Sequence, residues 1–340
     1  MGVLRTLLLA TAMLVIAQSP DEYEHIVDEY RIGDPEAAVR RLARWPEPAV
    51  DDAIRHATRR LRSEQVVAAA MVHTELAAAI LDSLPSRTNP QLHHALTWLD
   101  ALAATRDRRE YADAVRLHWY RVVVSLYAAT SHLYEADLYA REALGRFPRD
   151  PILIFQKGTI LELARFNSSP FAPVALPRGR APASAPRSQQ TLESAAAEYR
   201  RALDLDPRLA IARLHLGWIY AQEGNGHAHD ELATALQDAK DDRARYLAHL
   251  FLGGLAERQQ RFDDAAQEYE LSRQTGPTHQ TPYVALSRIE LVRGHADRAR
   301  ELAHQLATLD RIDDDPWWDY HLGAVDDEAL AWLRAEAHRR

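Results

Sequence analysis

The sequence predicts an all-α chain of stacked helical hairpins, a solenoid, and three observations carry that prediction. The stretch Tyr246–His279, YLAHLFLGGLAERQQRFDDAAQEYELSRQTGPTH, holds two amphipathic helical segments in one 34-residue unit. The same spacing returns, in register, on both sides of it. Of 340 residues, 47% are hydrophobic and 26% charged, which is enough apolar surface for a continuous core.

Within that unit Leu252 and Gly253 stand at positions 7 and 8, Ala256 at 11, Phe262 at 17, Ala265 at 20, Tyr269 at 24 and Pro277 at 32. Small residues at 8 and 20 let the two helices approach closely, and large residues at 7, 17 and 24 fill the space around the contact. Proline at 32 ends the second helix. This small-and-large pattern resembles the tetratricopeptide (TPR) repeat. The resemblance implies a right-handed α-solenoid in which each hairpin, unable to bury its apolar face alone, stacks on its neighbours.

The remaining elements follow in chain order. MGVLR, the apolar run TLLLATAMLVIA and the small or polar residues after it have the three-part form of a bacterial-type secretory signal peptide. Val15 and Ala17 occupy the small-residue positions before cleavage, so residues 1–17 are expected to leave and the chain to be periplasmic or secreted, of a bacterial exported type. The run falls short of the ~20 residues that span hydrocarbon. Residues 18–116 read as a helical, degenerate repeat-like region. In it Asp21–Arg31 and Asp34–Arg44 flank Gly33, with Asp34 an N-cap and Pro35 at the first helical position. Asp51–Arg62 has a basic outer face. Val66–Leu81 is apolar nearly all round, as in a buried helix.

Repeats are expected over 117–313. The first, 117–150, carries Tyr120, Tyr127, Leu133, Ala136, Ala140, Ala143 and Pro148 in register. The second, 151–209, pairs Ile152–Phe166 with Leu192–Leu205 around an insertion at 167–190, rich in proline and arginine and read as a disordered loop. The third, 210–245, holds Leu216, Gly217, Tyr220 and Gly224; the fifth, 280–313, holds Tyr283, Leu286, Gly294, Ala299 and Leu306. Residues 314–340 read as a C-terminal cap, with Trp317, Trp318, Trp332 and a last helix Asp327–Ala337 covering the open face of the fifth repeat.

Composition and motif content narrow the function classes. A net charge of -8 argues against nucleic acid as the principal partner. The lack of cysteine excludes disulfides, thiol catalysis and cysteine metal sites. Sixteen histidines invite a metal reading. His227, His229 and Asp230 form an H-x-H-D string, but it follows a Gly-Asn-Gly turn between helices and reads as solvated loop residues. His73 and Glu75 lie two apart and share no helix face. His93 and His94 have no carboxylate at ligand spacing. No nucleophile elbow, zinc-protease motif or phosphate loop occurs, so no metal, cofactor or catalytic residue is expected.

In TPR proteins the first helix of each hairpin lines a concave groove at positions 2, 5, 9, 12 and 13. The resemblance therefore implies a partner-binding groove that includes Arg121, Phe155, Thr159, Leu214, Trp218, Gln222, Arg258 and Arg288. Trp218 and Phe155 stand out as anchors, since large apolar groups on such a face commonly hold partners. The family's carboxylate clamp for chaperone tails needs Lys, Asn and Asn where this chain has Arg121, Ser125 and Gln156, so that partner class is not supported. The expected function is a non-catalytic protein-interaction scaffold or adaptor. The alternatives are a subunit of a cell-envelope assembly machine and an enzyme with an unrecognised histidine-containing helical site.

Overall fold

The computed structural model describes residues 19–58, 60–80, 90–104, 109–167, 188–309, 315–320 and 327–338. The signal-peptide reading and nearly all of the insertion lie outside the described residues. The described chain is all-helical, built largely of helical hairpins, and no described helix is long and apolar enough to cross a membrane. It divides into two compact units, residues 1–139 with 325–340, and residues 140–324.

Unit 1 holds α1 (Pro20–Ile32), α2 (Pro35–Leu42), α3 (Glu47–Ala57), α4 (Ser63–Ile80), α5 (Pro90–Ala103), α6 (Arg109–Ala129) and the terminal helix, α17 (Asp327–Ala337). α7 (Leu133–Arg146) contains the division between the units. Ser19 and Asp34 cap α1 and α2, accepting from Glu22 N at 3.2 Å and Ala37 N at 3.0 Å, with Pro20 and Pro35 opening the two helices. α4 buries Val66 to Thr74 without a break and packs on α1, α2, α5 and α17, which is why its sequence shows no polar face.

Hydrogen bonds run in a chain through this core. Trp98 Nε1 donates to the Tyr23 hydroxyl at 2.9 Å, and that hydroxyl lies 2.8 Å from His73 Nε2. On the other side of the ring, His73 Nδ1 lies 2.6 Å from Gln91 Oε1. Burial pushes the Tyr23 hydroxyl well up, so it stays a donor, and lowers the His73 imidazole to about 3, so it stays neutral and can accept. His94, for which the sequence offers no carboxylate partner on its own helix, meets Asp51 of α3 at 2.9 Å.

Unit 2 stacks four hairpins: α8 (Pro151–Asn167) with α9 (Ser188–Leu205), α10 (Ala210–Glu223) with α11 (Ala228–Asp238), α12 (Asp242–Arg258) with α13 (Phe262–Thr275), and α14 (Gln280–Val292) with α15 (Ala296–Ala307). A short α16 (Pro316–Tyr320) follows. The small residues do the work expected of their positions. Ala195, Ala265 and Ala299 are buried at position 20 or its equivalent, and Gly158 and Gly253 face the rings of Tyr199 and Tyr269. Position 15 is equally regular. Ser131, Gly224, Gln260 and Gly294 all have φ between 59° and 83°. In each case the next N–H reaches back to the carbonyl at position 11, from His132, Asn225, Arg261 and His295, at 2.8–2.9 Å.

The terminal cap is a correction. α17 does not follow the repeats but belongs to unit 1, on α4 and α6. Its buried stripe of Ala329, Leu333, Glu336 and Ala337 is specified there by polar as well as apolar contacts. Tyr111 donates to Glu336 at 2.8 Å, Arg334 pairs with Glu75 at 2.9 Å, and Trp332 stacks on His118 at 4.1 Å. The first repeat also begins earlier than its register suggests, because its leading helix is the 21-residue α6 starting at Arg109.

Candidate functional site

The first helices of the unit 2 hairpins, α8, α10, α12 and α14, present one run of side chains, and the sequence-predicted site residues distribute unevenly along it. Leu214 is buried in the core cluster of the hairpins. Thr159 is buried too, its hydroxyl donating to Phe155 O at 3.2 Å. Phe155 is half-buried, 5.2 Å edge-on to the ring of His215 and 5.7 Å from that of Tyr199. Gln222 is partly exposed. Arg121 lies in unit 1 and is partly exposed. Arg258 and Arg288 are exposed; Arg258 sits over the Trp218 ring at 5.9 Å, and Arg288 donates to the two carboxylate oxygens of Glu257 through its two terminal guanidinium nitrogens.

Trp218, expected open on the face, is covered from within the chain. It stacks on Phe251 at 4.8 Å and 22°, and Trp317 of α16 meets it edge-on at 5.6 Å and 90°. The geometry favours contact because the positive edge of one ring addresses the negative face of the other.

Trp317 arrives as part of a segment, Asp315–Tyr320, that lies across several of the hairpins. At one end the buried Asp315 carboxylate accepts from the Tyr246 hydroxyl at 2.7 Å, from Thr281 N in the first turn of α14 at 2.8 Å and from Trp317 N at 3.0 Å. A carboxylate there also meets the positive end of the α14 dipole. At the other end Tyr320 stacks on His215 at 4.3 Å, meets Phe251 edge-on at 4.8 Å and donates to Glu162 Oε1 at 3.4 Å.

Glu162 is the polar centre of that end. Its other oxygen accepts from the Tyr199 hydroxyl at 2.6 Å and lies 2.8 Å from His215 Nδ1. Burial, and then the neighbouring Glu162 charge, drive the Tyr199 and Tyr320 hydroxyls well above the ordinary phenol range. Burial and Asp315 do the same for Tyr246. All three remain protonated donors, so the cluster fixes positions. A buried Glu–His pair with tyrosines has acid–base groups, but each is enclosed by the others and by the Tyr320 ring.

Among the described residues, no group of three His, Asp or Glu side chains is placed to hold a metal ion. His227 and His229 are exposed at the start of α11, as the turn composition suggests. A depression between the hairpin turns at Arg261, Asp263, Asp264, Arg293 and His295 has its charges paired, Arg261 with Asp264 at 2.6 Å and Arg293 with Asp263 at 2.8 Å.

Sequence reasoning missed His215, Phe251, Asp315 and Tyr320. His215 and Phe251 stand at position 6, one residue from the expected position 5, which points Leu214 and Leu250 into the core instead. One residue is ~100° of helix rotation, enough to exchange a core position for a surface one. The D-P-W-W-D-Y run was visible, but nothing local in it names its destination.

One stretch of the face is open. On α14, at positions 5, 12 and 13, Val284, Leu291 and Val292 are 56%, 58% and 56% exposed. Val284, Arg288 and Leu291 are spaced by four and three residues and so line one side of the helix.

No family model matches the sequence, and no curated protein matches it. Solved structures do. MamA protein is similar at 15% identity and a TM-score of 0.40, over 56% of this chain and 89% of that one. A tetratricopeptide repeat protein from Parabacteroides merdae is similar at 12% identity and 0.44, over 80% and 99%. Human IFIT1, solved as a dimer with m7Gppp-AAAA, is similar at 14% identity and 0.40, over 85% and 62%.

Proposed function

We propose that the chain is an exported, non-catalytic interaction scaffold that takes a segment of a partner protein on the first-helix face of unit 2. The observation that carries this reading is the open side of α14. Three aliphatic side chains there stand more than half exposed. Arg288 lies between two of them in sequence, and Arg258 is exposed on the preceding hairpin. Covering aliphatic groups gains about 25 cal/mol per Å² removed from water, and the exposed Arg258 guanidinium, Arg288 being held by Glu257, favours a partner segment that carries acidic as well as apolar residues. The chain's excess of acid over base supports a protein partner rather than a nucleic acid.

The test uses a partner captured by the full chain from its native host, purified and titrated. Val284→Glu together with Leu291→Glu is expected to weaken that complex at least tenfold while the helical content stays that of the parent. An unchanged Kd removes α14 from the reading. If single-stranded RNA binds the parent and no protein does, the reading as a whole is refuted. The address has its own measurement: the native protein is expected to begin at Gln18 outside the cytoplasm, and an intact Met1 on a cytosolic species refutes export.

A further inference from the structure

We infer that Asp315–Tyr320 is a built-in occupant of a second recognition surface, and that this surface accepts a partner segment of the same chemistry: a carboxylate, then a tryptophan two residues on and a tyrosine five residues on. This rests on the scaffold reading above and specifies a part of the face distinct from the open side of α14.

Three features of the contact point to recognition of a segment. First, Asp315, Trp317 and Tyr320 together reach four successive hairpins: the side chains of Glu162 of α8, His215 and Trp218 of α10, and Tyr246 and Phe251 of α12, and the backbone N–H of Thr281 of α14. A further hairpin would stack on the end of the array, whereas this segment crosses it, as an added peptide does in groove recognition. Second, the anchors are of separate kinds at fixed spacing. The carboxylate site supplies one hydroxyl and one backbone donor from the array, the tryptophan slot is made by Trp218 and Phe251, and the tyrosine site combines two aromatic rings with the Glu162 acceptor. Third, the surface cannot stand empty without cost. Withdrawing the segment uncovers the faces of Trp218, Phe251 and His215 and takes the Asp315 acceptor from Tyr246, so an incoming segment must supply a carboxylate and aromatics to replace them.

A segment tethered in the same chain competes at an effective concentration on the order of mM for a short tether, so any partner meets a surface already occupied. The surface is therefore selective: a segment lacking the carboxylate or the first tryptophan cannot displace the resident one.

The experiment uses a labelled, end-blocked peptide with the sequence of residues 315–320 and two full-length chains, the parent and a variant carrying Asp315→Asn and Trp317→Ala. Fluorescence anisotropy is expected to show the peptide binding the variant at least tenfold more tightly than the parent. Peptides with asparagine in place of the first aspartate, or alanine in place of the first tryptophan, are expected to bind the variant at least tenfold more weakly. No binding to the variant, or equal binding to both chains, overturns the inference. Should the variant fail to fold, the parent alone decides. Saturating peptide is expected to raise hydrogen exchange at Trp317 N at least tenfold while Thr281 N, which passes to the peptide carboxylate, stays protected, and unchanged exchange at Trp317 N overturns the inference. If the captured partner docks on α14 while the peptide binds neither chain, this inference alone falls. If the peptide behaves as expected and the α14 variants leave the partner's Kd unchanged, only the α14 reading falls.

Discussion

Neighbouring glycines in α12 give a prediction with two opposite signs. A Cβ built on Gly253 lies 2.6 Å from both Cδ1 and Cε1 of Tyr269 and 3.1 Å from Cγ. Carbon atoms settle at about 3.5–4.0 Å, so the ring or the helix must move by about 1 Å. The ring has little freedom. It is buried, and its hydroxyl donates to Glu257 at 2.9 Å, the carboxylate that Arg288 also holds. Gly253→Ala therefore sets an overpacking cost of about 1–3 kcal/mol against a helix-propensity gain of about 1 kcal/mol, for a net loss of roughly 0–2 kcal/mol. Gly254, one residue on, has room. Its added Cβ meets Trp218 Cζ3 at 3.6 Å and the Tyr269 hydroxyl at 3.7 Å, ordinary contacts, so Gly254→Ala keeps the propensity gain and stabilises by up to about 1 kcal/mol. Denaturant titrations of the two variants beside the parent, followed by far-UV circular dichroism, measure both signs. A Gly253→Ala variant as stable as Gly254→Ala refutes the close approach of α12 and α13 on which the repeat register rests.

Four further outcomes are expected. Ala265 is fully buried between α12 and α13, and Ala265→Leu is expected to cost about 1–3 kcal/mol in the same titration; parent-like stability would contradict the register. Gln260 occupies the left-handed turn that glycine fills in two other repeats, so Gln260→Gly relieves roughly 1–2 kcal/mol of backbone cost against about 0.5–1 of added chain entropy, and a rise in thermal midpoint checks it. His73, held near 3 in the fold against 6.5 unfolded, binds fewer protons in the native state; its contribution is intact above 6.5 and is lost as pH falls toward 3, by roughly 1.4 kcal/mol per pH unit. Replacing it with Gln is expected to flatten the stability profile between pH 6.5 and 4, and an unchanged profile counts against this assignment. Trp218→Ala removes the stack on Phe251 and the contact with Trp317 together and is expected to destabilise unit 2 by about 2–4 kcal/mol, so a variant of parental stability would show that these rings do not pack in solution.

The sequence by itself determined what is local and periodic. Small residues recur opposite large ones because two helices of a hairpin need a close contact, and that need repeats with every unit, as Gly158 with Tyr199 and Gly253 with Tyr269 illustrate. The turn at position 15 and the caps at Asp34 and Asp241 are likewise set within a few residues of chain. What the tertiary structure decided is non-local. Whether position 5 or position 6 of a helix faces the binding surface depends on the rotation that packing gives the helix, and a single residue of rotation hides Leu214 and brings His215 to Tyr320. The destinations of Asp315–Tyr320 and of α17 follow from partners far away in the chain. Tyr246, Thr281 and Glu162 hold the one, and Glu75 and Tyr111 hold the other. A hydrogen bond or an aromatic contact between distant residues leaves no period and no spacing rule in the chain, because its geometry exists only after the hairpins have stacked.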